Sequence, residues 1–246
     1  MAHRDEIIAF ADDLLDVASF PDYGPVGLQV VGSDEVSALA CSVSASRDLF
    51  EHAKTLGAEF VIVHHGLFWD RDSRVVDVRL RGRLEALFDG DITLAAYHLA
   101  LDAHPEVGNN ALLAAALGLR VVEPFEVGFG CSYSEPVTAD AFVARVRDVL
   151  SREPLAFLYG PREIRRVAIV SGGAASMLPQ AAAAGYDLFL TGEPAEPTMM
   201  TARELGVHFV AGGHYATERL GVRALTERIA AHFDLPWHFI ELVNPV

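Results

Sequence analysis

Cysteine is scarce. The 246 residues include two, Cys41 and Cys131, with no C-x-x-C pair. A disulfide framework and a zinc knuckle are therefore excluded as organising devices. Basic residues are short as well, with 19 Lys and Arg against 34 Asp and Glu and a formal net charge of −15. A protein that coats nucleic acid must neutralise phosphates, so this balance argues against a nucleic-acid partner. Bound divalent ions would add local positive charge that a residue count does not show. No apolar run approaches the roughly 20 residues of a membrane span. The opening "MAHRDEIIAFADDLLDVASF" lacks a basic region followed by an apolar block, so it does not read as a signal peptide. Ile7, Ile8, Phe10, Ala11, Leu14, Leu15 and Val17 recur instead at helical spacing, with acids between them. These absences point to a cytoplasmic protein with no membrane association.

What is present is ample apolar material, 51% of the chain, enough for a packed core. "VSALACSVSAS" reads as a strand, "RDLFEHAKTLG" as a helix closed by Gly57, and "AEFVIVHHG" as a second strand. Strand, helix and strand make a parallel crossover unit. A shift of 128 residues, without a gap, lays "LACSVSASRDLFEHAKTLGAEFVIVHHG" on "VAIVSGGAASMLPQAAAAGYDLFLTGEP". Gly57 then meets Gly185, Glu59 meets Asp187, and His64-His65 meets Gly192-Glu193. A second correspondence, at a shift of 116, lays "ITLAAYHLALD" on "HFVAGGHYATE". His98 meets His214 and Asp102 meets Glu218. The expected fold class is α/β, with two related α/β/α lobes from an internal duplication and a site between them. The division is expected near Gly128–Tyr133, giving lobes 1–128 and 129–246, with C-terminal elements able to pack on the first. Cys41 falls in a predicted strand and Cys131 in a predicted loop.

The polar tips carry the chemistry. His64, His65, His98, Asp102, His214 and Glu218 all lie at predicted strand ends. Imidazoles and carboxylates are the usual ligands of zinc, iron and manganese. Neighbouring side chains on a regular strand point to opposite faces. Two adjacent histidines at a strand end therefore suit two neighbouring ions better than one. A histidine and a carboxylate four apart share a face once the segment is helical. "HYATE" reads as the first turn of a helix running on through "RLGVRALTERIAAHF". Glu218 can then lie between two ions, with Asp102 and the histidines at the flanks. Ions about 3.5–4 Å apart can hold and deprotonate a shared water near neutral pH. Glu193, in "TGEPAEP", reads equally as a turn residue or as a group that orients a ligand or a water. His104 is a candidate for a supporting or substrate-facing role. His52, His208, His232 and His238 read as structural or surface residues. The segment 70–83, with five arginines and three aspartates, reads as a solvated face and only secondarily as an anion-binding lip.

"VIVHHGLFW", "HLALDAHPEVGNN", "TGE" and "GGHYATE", together with "PVGLQV" at 25–30, resemble in order and spacing the GTP cyclohydrolase 1 type 2 homologue family, the NIF-three-like dinuclear metal proteins. The resemblance covers nearly the whole chain and is closest to the compact bacterial form. It implies a dinuclear site whose ligands are His64, His65, Asp102, His214 and Glu218, with His98 beside them. It also implies a ring-shaped homohexamer with metal sites facing an internal cavity.

Two readings of function follow. The first is a metal-dependent hydrolase acting on a nucleotide or another small phosphorylated substrate, with His98 or Glu193 as the proton-transferring catalytic group. By resemblance it would be GTP cyclohydrolase type 2-like. The second is a protein that stores, delivers or senses divalent metal with the same ligands.

Overall fold

The computed structural model describes residues 1–246. A two-residue strand β1 (Ala2–His3) leads into α1 (Arg4–Leu15), followed by β2 (Gly27–Val30) and β3 (Glu35–Val36). Then come β4 (Leu39–Ser44), α2 (Arg47–Thr55), β5 (Phe60–His65), α3 (Val78–Asp89) and β6 (Thr93–Ala96). Two short helices, α4 (Leu99–Ala103) and α5 (Asn109–Ala116), precede β7 (Arg120–Phe125), β8 (Gly128–Thr138) and α6 (Ala139–Leu150). β9 (Leu155–Leu158), β10 (Glu163–Ile169), α7 (Leu178–Ala183) and β11 (Leu188–Thr191) follow. The chain ends with α8 (Thr198–Leu205), β12 (His208–Ala211), α9 (His214–Phe233) and β13 (Trp237–Phe239). No helix is long and apolar enough to cross a membrane.

The chain forms two compact units. One comprises Met1–Leu101 and Gly221–Val243, the other Asp102–Leu220 and Asn244–Val246. The first contains a five-stranded sheet in the order β13-β4-β5-β6-β2. β13, β4, β5 and β6 run parallel, and β2 closes the edge antiparallel to β6. The second contains a six-stranded sheet in the order β7-β8-β10-β11-β12-β9. Here β10, β11 and β12 are parallel, and β9 closes the edge antiparallel to β12.

Period-two alternation explains why the second sheet is buried on both faces. Val167, Ile169, Leu188 and Leu190 enter one apolar cluster with Phe142 and Val146 of α6. Ala168, Val170, Phe189 and Phe209 enter another with Leu178 and Ala181 of α7. In the first unit Val61, Val63, Leu94 and Ala96 pack with Leu49, Phe50 and Ala53 of α2. Helix starts follow local chemistry: the side chains of Ser46, Asp77 and Thr138 accept backbone N–H bonds at the heads of α2, α3 and α6.

The two units share a hydrogen-bond plan at the 128-residue shift. Leu39 is in register with Phe60, as Val167 is with Leu188. The Glu59 carboxylate accepts from the N–H groups of Ser37 and Ala38, and that of Asp187 from Arg165 and Arg166. Ala58 N–H donates to Ala53 O, as Tyr186 N–H does to Ala181 O. Gly57 and Gly185 sit at φ +71° and +76°, a left-handed conformation that glycine tolerates. This agreement is consistent with internal duplication. The second correspondence is offset by one residue in the strands. Ala96 pairs with Val63, and Ala211 with Thr191. His98 then follows its strand by two positions and His214 by three. The extra residue lies in Gly212-Gly213, where Gly213 has φ +99°.

One expectation needs correction. Cys131 lies in β8, opposite Val167, not in a loop. Small residues flank it in "FGCSYS" and hid the strand signal; a Cβ at Gly130 would meet the Tyr186 hydroxyl at 1.9 Å, so the ring would have to shift. Burial pushes the thiols of Cys41 and Cys131 up to about 12. Both are inert core residues.

Candidate metal centre

In the first unit, β5 and the turn after β6 deliver three histidines. His64 is fully buried and His65 partly so, at the end of β5. Their ring centroids are 4.7 Å apart, and that of His98 lies 5.0 Å from His64 and 5.7 Å from His65. One ligand nitrogen from each lies within 4.8 Å of the others. The strand can turn away at once because Gly66 follows. A Cβ there would meet the Gln29 amide at 2.3 Å, and that amide accepts from Leu67 N–H.

Each ring is oriented through Nδ1. His64 Nδ1 is 2.8 Å from the Tyr97 carbonyl oxygen, which can only accept, so Nδ1 carries the proton. His98 Nδ1 is 2.8 Å from Asp22 Oδ1, and the same logic applies. His65 Nδ1 lies 3.0 Å from the Ser44 hydroxyl on the adjacent strand. In the neutral tautomer a proton on Nδ1 leaves Nε2 with the lone pair that a metal requires. Asp22 also accepts from Leu99 N–H at 2.9 Å and Tyr23 N–H at 2.7 Å. Burial alone would raise its pKa, but the His98 contact and these N–H donors outweigh it and hold the carboxyl below its ordinary value.

In the second unit, α9 begins at His214 and carries Glu218 one turn on. His214 Nε2 lies 3.1 Å from Glu218 Oε2, and its Nδ1 meets Glu193 Oε1. Burial lowers the pKa of His214, yet Glu218 and Glu193 on either side more than offset it and push it up to about 9. The turn after β10 fits against this pair. Gly172 has φ +67°, and a Cβ on it would meet Glu218 Oε1 at 2.1 Å and His214 Nε2 at 3.2 Å. Its N–H donates to Thr217 Oγ1, and its carbonyl accepts from Gly192 and Glu193 N–H.

Asp102, on α4, is buried. Its Oδ1 accepts from Asn109 Nδ2 at 2.8 Å and Ser171 Oγ at 3.0 Å. Asn110, fully buried beside it, donates to the Asp102 and Val127 carbonyls and accepts from Ser171 N–H. His104 Nδ1 accepts from the N–H groups of Glu106 and Val107. His208 is structural, bridging Gly160 N–H and Pro161 O.

Sequence reasoning missed Asp22, Tyr97, Asn109, Asn110 and Ser171. The adjacent asparagines beside an apolar helix were the one available signal, since buried amides must be hydrogen-bonded. The donor chemistry fits a divalent metal: imidazoles tied at Nδ1, and the Asp102 carboxylate locked in place by an amide and a hydroxyl.

Residues 2–245 match the family model described as Duf34/NIF3 (NGG1p interacting factor 3). The chain belongs to the DUF34/NIF3 family. Its relatives include a Pseudomonas aeruginosa protein named GTP cyclohydrolase 1 type 2 homolog, 44% identical over 246 residues and 97% of each chain. An Escherichia coli K12 protein of the same name is 44% identical over 98% of each. Among solved structures, that of protein ybgI, described as of unknown function, has a TM-score of 0.96 at 42% identity and covers 99% of this chain and 100% of its own. TTHA1606 from Thermus thermophilus gives 0.92 at 36% identity, covering 99% of this chain and 100% of its own. The DUF34/NIF3 fold extends to HcgD from Methanocaldococcus jannaschii, with a TM-score of 0.86 at 23% identity over 98% of each chain.

Proposed function

We propose that the chain holds two divalent ions and uses them to hydrolyse a nucleotide or other small phosphorylated compound. His64, His65, His98, Asp102, His214 and Glu218 would hold the ions. Six donors exceed the needs of one four-coordinate site. The observation that carries this reading is the matched support of the two strand-end histidines. His98 Nδ1 rests on Asp22 and His214 Nδ1 on Glu193. A carboxylate behind a histidine fixes the tautomer and raises the basicity of the far nitrogen, as at metal centres.

Two bound ions would supply Lewis acidity and a hydroxide nucleophile near neutral pH. The chain's own residues have simpler roles. Asp22 and Glu193 orient His98 and His214; Asn109 and Ser171 fix Asp102; Gly172 allows Glu218 and His214 to lie side by side. A ring-shaped hexamer belongs to the same proposal. Both edge strands of the second sheet carry exposed apolar residues, Val121 and Val122 on β7 and Leu155 and Leu158 on β9, which further copies would cover.

The test is a hydrolysis screen on protein reconstituted separately with zinc, manganese and iron, with GTP among the substrates. Metal-dependent turnover supports the reading. Bound metal that passes to an apo-acceptor with no turnover on any substrate would replace it with a metal-delivery role.

A further inference from the structure

The loop that follows the two histidines carries a feature the metal centre does not use. Residues 70–83 hold five arginines against three aspartates, in a chain with net charge −15. Two arginines on or beside α3 are neutralised: Arg81 pairs with Glu85 at 2.7 Å and Arg47 with Glu51 at 2.6 Å. Arg79 and Arg83 make no such pair. They lie four residues apart on α3, hence on one face, where like charges repel. Arg83 is half-buried, and burial, together with Arg79, lowers its pKa. Asp77 offsets part of this, but its carboxylate caps α3 by accepting from Leu80 N–H.

Arg79 and Arg83 line a cavity of about 50 Å³ with Leu67, Phe68 and the acids Asp72 and Asp77. One water needs about 10–15 Å³ on this measure, so a small tetrahedral oxyanion has room. Phe68 also lines the pocket that contains His64 and His98, and so forms a wall common to both.

We propose that Arg79 and Arg83 form an anion subsite that receives a phosphate group of the substrate whose reacting centre lies at the histidines. Guanidinium forks match phosphate oxygens in pairs, and an arriving anion removes the repulsion between the two arginines. The inference rests on the hydrolase reading above for the substrate, and on Arg79, Arg83 and the cavity for the site.

The test is calorimetric titration of the full chain with inorganic phosphate, as purified and again after chelation of metal. Saturable binding that survives chelation is expected. Arg83→Gln should weaken it at least tenfold and Arg79→Gln/Arg83→Gln should abolish it, while Arg83→Lys keeps part and Arg81→Gln leaves it unchanged. Metal content and melting temperature of Arg83→Gln should match the parent, which separates a lost subsite from a lost fold. A nucleoside monophosphate should compete with phosphate, and the bare nucleoside should not. Binding that vanishes on chelation, equal affinity in Arg83→Gln, or no competition by the monophosphate would each overturn the proposal. Absence of bound metal with phosphate binding intact would instead refute the hydrolase reading and leave an anion site without that substrate.

Discussion

Asp22→Asn is the sharpest perturbation of the histidine supports. The Asp22 side chain is 3% exposed. Its Oδ1 accepts from His98 Nδ1 and Tyr23 N–H, and its Oδ2 from Leu99 N–H. An asparagine has one oxygen and one NH₂ for these places. With its oxygen toward His98, the NH₂ faces the Leu99 N–H, donor against donor. With the NH₂ toward His98, the ring must accept at Nδ1, and the proton moves to Nε2, where it blocks metal binding. Either arrangement loses a buried charge-assisted hydrogen bond and strands a donor, a cost of about 1–3 kcal/mol. In a protein of this size 1 kcal/mol corresponds to about 2–4 °C in melting temperature, so a fall of roughly 2–12 °C is expected. Metal affinity should fall about 10- to 100-fold. Thermal melts with and without chelator, and competitive metal titration against a chromogenic chelator, measure the two effects. A variant with a lowered melting temperature and unchanged affinity would show that Asp22 is only a loop strut. Unchanged values of both would refute the orienting role altogether.

Other expectations follow from the same geometry. Gly172→Ala places a Cβ 2.1 Å from Glu218 Oε1 at a left-handed φ, costing about 1–2 kcal/mol in backbone conformation before the clash is relieved; metal titration should show weakened uptake along with a lower melting temperature. Glu218→Gln keeps the shape and removes the charge of a proposed ligand, so elemental analysis should find occupancy falling toward one. His232→Gln, whose ring stacks on Phe10 at 4.1 Å on the far part of α9, is the control and should keep full occupancy. Glu59 accepts from Ser37 and Ala38; burial opposes its ionisation, but these donors win and hold its carboxyl below the ordinary value. Its stabilising effect is therefore present above the ordinary glutamate pKa of about 4.3 and is lost as pH falls through the folded value. Melting curves of Glu59→Gln and the parent should differ at pH 7 and converge in acid.

The parts of this structure that repeat locally were legible in the sequence. β4, α2 and β5 show apolar strands, a capped helix and a closing glycine, and their register partners recur 128 residues later. The start of α9 at His214 follows from the spacing of His214 and Glu218. What escaped depends on distant chain segments. Asp22 lies 76 residues from His98, in a turn rich in proline and glycine that shows no periodicity. The asparagines at 109 and 110 are polar residues at the head of an apolar helix, and only the fold shows that Asp102 and Ser171 need their amides. The extra residue before His214 was hidden because a glycine pair aligns without penalty in either register. β8 escaped because its small residues make room for Tyr186 instead of alternating apolar with polar.

We propose two ions per chain, on His64, His65, His98, Asp102, His214 and Glu218. Elemental analysis of protein purified without chelators, and again after reconstitution with zinc, manganese or iron, tests it most directly. Close to two equivalents per chain are expected with at least one of these metals, reduced in Glu218→Gln and unchanged in His232→Gln. Protein that carries no metal as isolated and takes up none on reconstitution would contradict it.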